Sequence, residues 1–246
     1  PSFAPDGTPY TTELGRPAAK FKKYPEDYRL KLYRNLGDNK REGMMLFGYL
    51  DYEENGKAKR VVSPTGDEDL YLRDAVGNFK GCGPDEIPAD RTSDMLHGDH
   101  SSGWRFVKYP LYMDTDEGQM ESDFVEIRLA EVIYSLAECR FREGKVNEAA
   151  TLLNTVRRRN YPENTVAKYL YAPEGPVTLT QAELLDEWGR EFFHEGRRRT
   201  DLIRFDKFCK GVWWDKTPDK DNHTEIFPLH RDVLSSNPAL KQNTGY

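Results

Sequence analysis

The sequence predicts a mainly α fold: a tetratricopeptide-like helix pair, with irregular loops and a small β-hairpin beside it. Three observations lead there. Apolar residues recur at three-to-four spacing from Ile127 to Phe141, and again from Ala149 to Val156. Gly144 separates the two runs, as a turn glycine does. "ENG" (Glu54–Gly56) stands between the short runs "MLFGYLDY" (Met45–Tyr52) and "KAKRVV" (Lys57–Val62), the pattern of two strands turning on Asn-Gly.

The texture of the chain changes near residue 122. Residues 1–122 read as an irregular, loop-rich region with short strands, rich in Gly, Pro, Asp and Tyr. Ser63 to Gly103 reads as a long surface excursion with many turn residues. Residues 123–246 read as helical. Ser122 or Asp123 can cap a first helix running to about Glu143, with Ile127, Ala130, Ile133, Tyr134, Ala137 and Phe141 inward. A second helix covers Val146 to about Arg159, and Pro162 stops it. In the tetratricopeptide pattern, Ala137 and Ala149 take the close-approach positions, while Ile133, Leu136 and Leu153 take the larger ones. A single unit of this kind cannot bury its own faces and needs neighbours. A third helix opens at Thr180, where "TQAE" sets up a capping box between Thr180 and Glu183. Its apolar stripe is Leu184, Leu185, Trp188, Phe192 and Phe193. Gly196 breaks it, a short helix over about Arg198 to Lys210 follows, and extended chain punctuated by Pro218, Pro228 and Pro238 runs to Tyr246.

Composition narrows the function classes. The 246 residues are 37% hydrophobic and 12% aromatic, enough for a core, and carry a net charge of −6. A nucleic-acid binder needs a basic face to release counterions, so that class is set aside. The clusters Arg157–Arg159 and Arg197–Arg199 have acids nearby and read as solvated or ion-paired faces. Three widely spaced cysteines, Cys82, Cys139 and Cys209, form neither a disulfide framework nor a zinc spacing. No apolar run approaches the roughly 20 residues of a bilayer span. The chain starts at Pro1, so an export signal or lipid anchor would lie upstream of it.

No catalytic constellation stands out. His194–Glu195 lacks the second histidine of a zincin helix, because Arg198 occupies that position. His97 and His100 flank Asp99 in a Gly- and Ser-bearing loop, which reads as surface and not as a metal site. There is no P-loop, no dinucleotide-binding glycine turn and no serine elbow, so neither cofactor nor metal is expected. The dense charge of "EFFHEGRRRTDLIRF" (Glu191–Phe205) has a structural reading. Glu187, Glu191 and Glu195 fall four apart on one side of a helix. Arg198, Asp201 and Arg204 fall three apart on the next. Two helices meeting at Gly196 would bring the acids of one to the arginines of the other, as an ionic staple.

The same residues carry a resemblance. Glu187, Arg190, Glu191, Glu195, Gly196, Arg198, Asp201, Leu202, Arg204 and Phe205 match the C-terminal signature of the SusD/RagB family, with Phe192 where the family has leucine. "EIRLAEVIYSLAECRFREGKVNEAATLLNTVRRR" resembles the family's helical pair, and "IFPLHRDVLSSNPALKQNTGY" resembles its closing segment, with Asp232 in place of glutamate. "GWRFVKYP" (Gly103–Pro110) is similar to the element before the helices, and "YPEDYR" (Tyr24–Arg29) is a weaker match.

The resemblance implies a lipoprotein on the outer surface of a Bacteroidetes cell. It implies binding of glycans, or in some members peptides, as a lid over a SusC-like TonB-dependent outer-membrane transporter, with no enzymatic activity. It also implies a longer protein whose N-terminal part would supply the missing helical neighbours. A protein-interaction scaffold without a sugar ligand is the competing reading, and a carbohydrate-active enzyme the third. For a glycan, flat aromatic side chains exposed on loops would carry the ring faces. Trp104 is the first candidate, with Tyr71, Phe79 and Tyr112 in the same irregular region; Trp213 and Trp214 are exposed by context. Trp104 can equally anchor its loop to the helices.

Overall fold

The structure is a computed structural model, and it describes residues 21, 23–35, 41–73, 77–84, 98–109, 124–212 and 216–246. Its centre is the helical pair α1 (Leu129–Arg142) and α2 (Val146–Arg157), with α3 (Gln181–Glu191) packed across it. Ala130 and Ala137 of α1 meet Ala149 and Ala150 of α2, all at most 5% exposed, so the two backbones can approach closely. Tyr134 of α1 stands edge-on to Trp188 and to Phe192, each at 5.4 Å between ring centroids. Leu153, Leu184 and Tyr171 complete the fully buried part of this core.

The helix starts differ from the sequence expectation. α1 begins at Leu129, and residues 124–128 are not helical; Ser122 and Asp123 lie outside the described residues. The cap position belongs to Arg128, whose backbone is extended and whose guanidinium is drawn away to α3. Ile127, expected inward, is 71% exposed, and Leu136 is 44% exposed. With Leu129 and Val132 they form an apolar stripe on the side of α1 away from α2 and α3. At α3, half of the capping box forms: Thr180 Oγ1 accepts the Glu183 amide at 3.1 Å. The Glu183 carboxylate does not turn back to Thr180 but is engaged by Tyr24 and Tyr171.

After Gly196, α4 covers only Arg198–Arg204. Asp206 adopts φ +56°, and the Lys207 and Phe208 amides fold back onto the Leu202 carbonyl at 2.7 and 3.1 Å. The tail is not wholly extended either. A short helix, α5 (Arg231–Ser236), fits between Pro228 and Pro238. Gln242 then clamps Leu229, accepting its amide at 2.8 Å and donating to its carbonyl at 3.0 Å, while Tyr246 Oη donates to the Ile226 carbonyl at 2.8 Å.

Strands come in antiparallel pairs: β1 (Arg34–Asn35) with β2 (Arg41–Glu42), β3 (Met45–Leu46) with β8 (Arg105–Phe106), β4 (Gly48–Tyr49) with β7 (Tyr71–Leu72), and β5 (Asp51–Glu54) with β6 (Lys57–Arg60). The hairpin β5–β6 turns on Asn55 and Gly56, both at positive φ, the geometry that matches strand twist. The single strand expected over Met45–Tyr52 is instead three, each with a different partner. Gly48, at φ +68°, breaks the run. Val62 lies beyond β6 and bridges to Asp69 instead. β3 and β8 lie over a second core cluster of Phe21, Met44 and Met45, against which Trp104, Phe106 and Phe193 pack.

Candidate functional site

The inner edge of α3 is acidic. Glu183, Glu187 and Glu191 repeat at four-residue spacing, and all are at most 4% exposed, as is Arg190. Buried charge is costly unless it is paired and hydrogen-bonded. Each acid is met by groups from distant parts of the chain. Glu187 pairs with Arg157 of α2 and with Arg190, and accepts from Tyr134 Oη at 2.9 Å. Glu183 accepts from Tyr24 Oη at 2.7 Å and Tyr171 Oη at 3.0 Å, and pairs with Lys23 and Arg190. Glu191 pairs with Arg29 at 3.2 Å, Arg128 at 2.6 Å and Arg159. Glu195 pairs with Arg128 and Lys108, each at 2.8 Å. Arg157 is roofed by tyrosine rings, with Tyr24 at 4.3 Å and Tyr171 at 4.6 Å from its guanidinium carbon.

The protonation states follow. Burial alone would raise the Glu187 carboxyl, but Arg157, Arg190 and Arg29 hold it well below the ordinary carboxylate range. Glu183 and Glu195 are likewise held low against their burial, by Arg190 and Lys23 and by Arg128 and Lys108 respectively. For Lys108 burial wins over Glu195, and its ammonium sits below the ordinary lysine value.

The partners differ from those the sequence suggested. Glu187, Glu191 and Glu195 pair elsewhere and not with Arg198 or Arg204 across Gly196. Arg204 pairs with Glu138 of α1 at 2.8 Å and with Asp201 at 3.0 Å, and its side chain is 35% exposed. Arg198 donates to the Leu185 carbonyl at 2.8 Å and stands 3.9 Å from Asp186. The charges of α4 are divided: Arg204 meets Glu138 of α1, and Arg198 stays with Leu185 and Asp186 of α3. Asp201 is buried, and that burial raises its carboxyl in spite of Arg204. The cationic half of the network (Arg29, Lys108, Arg128 and Arg157) was not singled out from sequence. Arg157, in sequence part of a solvated or ion-paired face with Arg158 and Arg159, is ion-paired to Glu187 but fully buried. The available signal was helical phase: Arg157 follows Ala149, Ala150, Leu153 and Val156 on the buried side of α2.

The aromatic candidates separate. Trp104 is half-buried and stacks on Phe47 at 4.8 Å with 29° between planes, its base resting on the second core cluster. Tyr71 is half-buried and edge-on to Tyr49 at 4.8 Å, with Arg60 lying 4.1 Å over the Tyr49 ring. Phe79 is 2% exposed and lies beneath Arg73, so it cannot present a ring face to a ligand. Tyr112, Trp213, Trp214 and His97 lie outside the described residues. Phe47 and Tyr49, not expected from sequence, join Trp104 and Tyr71 because Gly48 bends the chain between them.

Beside Glu191 and Glu195 lies a cavity of about 440 Å³. Its walls combine Met44, Val125 and the rings of Tyr28 and Tyr109 with Arg29, Lys108, Arg128, Arg159, Glu191, Glu195 and Asn160. Among the described residues, no group of three or more His, Cys, Asp or Glu is placed to hold a metal ion, and no helix is long and apolar enough to cross a membrane.

Comparison with known proteins gives this architecture a place. The model of the SusD family matches residues 88–246. The starch-binding protein SusD of Bacteroides thetaiotaomicron is 30% identical over 210 residues, covering 80% of this chain and 34% of that protein. The chain thus spans about a third of the length of the curated relative it matches. Among solved structures, a SusD-like protein from Bacteroides fragilis covers all of this chain and 45% of its own, at 19% identity and a TM-score of 0.51. NanU of B. fragilis covers 82% of this chain and 35% of its own, at 20% identity and a TM-score of 0.42. The matched range includes Glu183, Glu187, Arg190 and Glu191 of the buried ionic network. This chain belongs to the SusD family.

Proposed function

We propose that the protein is a glycan-binding protein of the cell surface, working with a TonB-dependent outer-membrane transporter in oligosaccharide uptake. The observation that carries this reading is the 30% identity, over 80% of the chain, to a protein named for binding starch. The half-buried pairs Trp104–Phe47 and Tyr49–Tyr71 support it. Sugar rings present apolar C–H faces, and partly exposed aromatic rings on a rigid base can hold them while polar neighbours such as Arg60 take hydroxyls. In this reading the buried network is scaffold and not chemistry. The family resemblance makes the protein one that binds without catalysis.

The same reading makes the protein an outer-membrane lipoprotein of a Bacteroidetes cell. The exposed stripe Leu129, Val132 and Leu136 is then the face covered by neighbouring helices from the N-terminal part of the same protein.

The test is a calorimetric screen of the full-length protein against starch fragments and other neutral oligosaccharides, repeated with Trp104→Ala. Binding that weakens in Trp104→Ala while the melting temperature holds supports the reading. No binding across the screen overturns it, and unchanged affinity with lowered stability removes Trp104 from the site.

A further inference from the structure

The hairpin β5–β6 brings a guanidinium and two carboxylates to the Tyr49–Tyr71 pair. Asp51 and Arg60 stand directly opposite in its register, and Arg60 Nε donates to the Asp51 carboxylate at 3.1 Å. Asp69 comes from a separate stretch. Its bridge to Val62, and the Leu70 amide on the Val61 carbonyl at 2.9 Å, hold it beside the end of β6. There its carboxylate lies 3.8 Å from Arg60. The Arg60 guanidinium carbon lies 4.1 Å over the Tyr49 ring, and Tyr49 is opposite Tyr71 in register. The side chains of Arg60, Asp51 and Asp69 are 40%, 55% and 52% exposed, so a ligand can reach all three.

Neighbouring charges are matched. Farther along the hairpin, Glu53 and Glu54 are offset by Lys57 and Lys59. Asp67 pairs with Lys80, and Glu68 accepts the Gly81 amide at 3.0 Å. Arg73 also lies against Tyr71, at 4.9 Å, but it is 8% exposed and directs its donors to the carbonyls of Tyr71, Cys82 and Gly83. The cation that lies over the ring pair and is open to solvent, Arg60, already has two carboxylates. A hydroxyl both donates and accepts. A guanidinium fork beside a carboxylate therefore matches two neighbouring hydroxyls, one accepting from Arg60 and one donating to Asp51 or Asp69. A sugar carboxylate can only accept, and here it would meet two acids and a cation already neutralised.

We propose that Arg60, Asp51 and Asp69 determine specificity for neutral sugars. They take two neighbouring hydroxyls of a ring set against the Tyr49–Tyr71 pair and disfavour sugars that carry a carboxylate. The assignment rests on the glycan reading above and names the residues that select within it.

The experiment is calorimetric titration of the full-length protein, at low ionic strength, with two forms of maltoheptaose. One is the neutral sugar. In the other the primary alcohols are oxidised to carboxylates, which keeps the ring stereochemistry and changes the charge. The neutral form should bind at least roughly tenfold tighter. Added salt should narrow the gap, because partly exposed charges are screened. Asp69→Asn should narrow it at low salt as well. Arg60→Ala should weaken neutral maltoheptaose by roughly tenfold and leave the melting temperature nearly unchanged, since exposed ion pairs add little stability. Arg60→Lys keeps the charge without the planar fork and should weaken it several-fold. Equal binding of the two forms, or neutral binding unchanged in Arg60→Ala, overturns the proposal while the glycan reading stands. A melting temperature that falls together with affinity in Arg60→Ala assigns Arg60 to the hairpin and overturns its role in specificity. Absence of binding by either form overturns the proposal together with the starch reading.

Discussion

Arg157 and Glu187 form an ion pair in which neither side chain has any exposure to solvent, joining the end of α2 to the middle of α3. The pair is held from both sides, by tyrosine rings over the arginine and by Tyr134 Oη and Arg190 on the carboxylate. It locks the angle of α3 against the helical pair, and through Arg29 the same acid reaches the segment before the strands.

Removing one member of such a pair leaves the other buried and uncompensated. Glu187→Ala should destabilise by about 3–5 kcal/mol. Asp201→Ala should cost far less, about 1 kcal/mol, because Arg204 is partly exposed and keeps Glu138. Urea unfolding midpoints of the two variants, measured side by side, check the order. Equal losses would show that the two ionic clusters are equivalent.

Asn154 is a backbone surrogate. Its Nδ2 donates to the Tyr171 carbonyl and its Oδ1 accepts the Tyr171 amide, each at 2.9 Å, with both residues wholly buried. Asn154→Ala orphans the Tyr171 amide at about 1–3 kcal/mol, while the Tyr171 carbonyl keeps the Glu174 and Gly175 amides at 3.1 and 3.2 Å. Leu in its place should do no better, since volume without polarity cannot meet that amide. Hydrogen exchange at the Tyr171 amide reads the effect directly and should accelerate in both variants.

Acid should unfold the protein through the α3 network. Glu183, Glu187 and Glu195 have folded-state values held below the ordinary carboxylate range. A depressed acid contributes stability that is complete above its unfolded value, about 4.3, and is lost as pH falls through the folded value. Thermal melts should therefore be flat in this contribution from neutral pH to about pH 5, and fall steeply below about pH 4. Glu187→Gln should flatten that fall while lowering the neutral-pH melting point.

Gly43 has no room for a side chain. Its φ is +66°, and a Cβ there would lie 2.3 Å from the Lys31 carbonyl oxygen, which accepts the Met44 and Met45 amides. Gly43→Ala should cost about 1–3 kcal/mol from overpacking, with about 1 kcal/mol more for the left-handed backbone. Because Met44 and Met45 support Trp104, its fluorescence should shift as well.

The helical pair and α3, their order and most of their apolar inner faces were determined by the sequence alone, whereas α5 and the exposure of Ile127 and Leu136 were not. Ala130, Ala137, Ala149 and Leu153 carry a local periodicity that survives any tertiary context, and Asn55–Gly56 carries a local turn geometry. The charged signature around Glu187 and Arg204 also identified a family, since it depends on residue types at fixed spacing. Tertiary structure decided everything that joins separate segments. Which cation meets Glu191 depends on three-dimensional neighbours 63 and 162 residues away, Arg128 and Arg29, and no spacing rule reaches so far. The split of Met45–Tyr52 into three strands was likewise non-local: Gly48 permits the bend, but partners at Tyr71 and Phe106 determine where each piece pairs. Phe79 reads as a loop aromatic in sequence, yet it is buried, with Arg73 over its ring. The cavity is the extreme case, its wall assembled from six stretches of chain, so it exists only once those stretches have met.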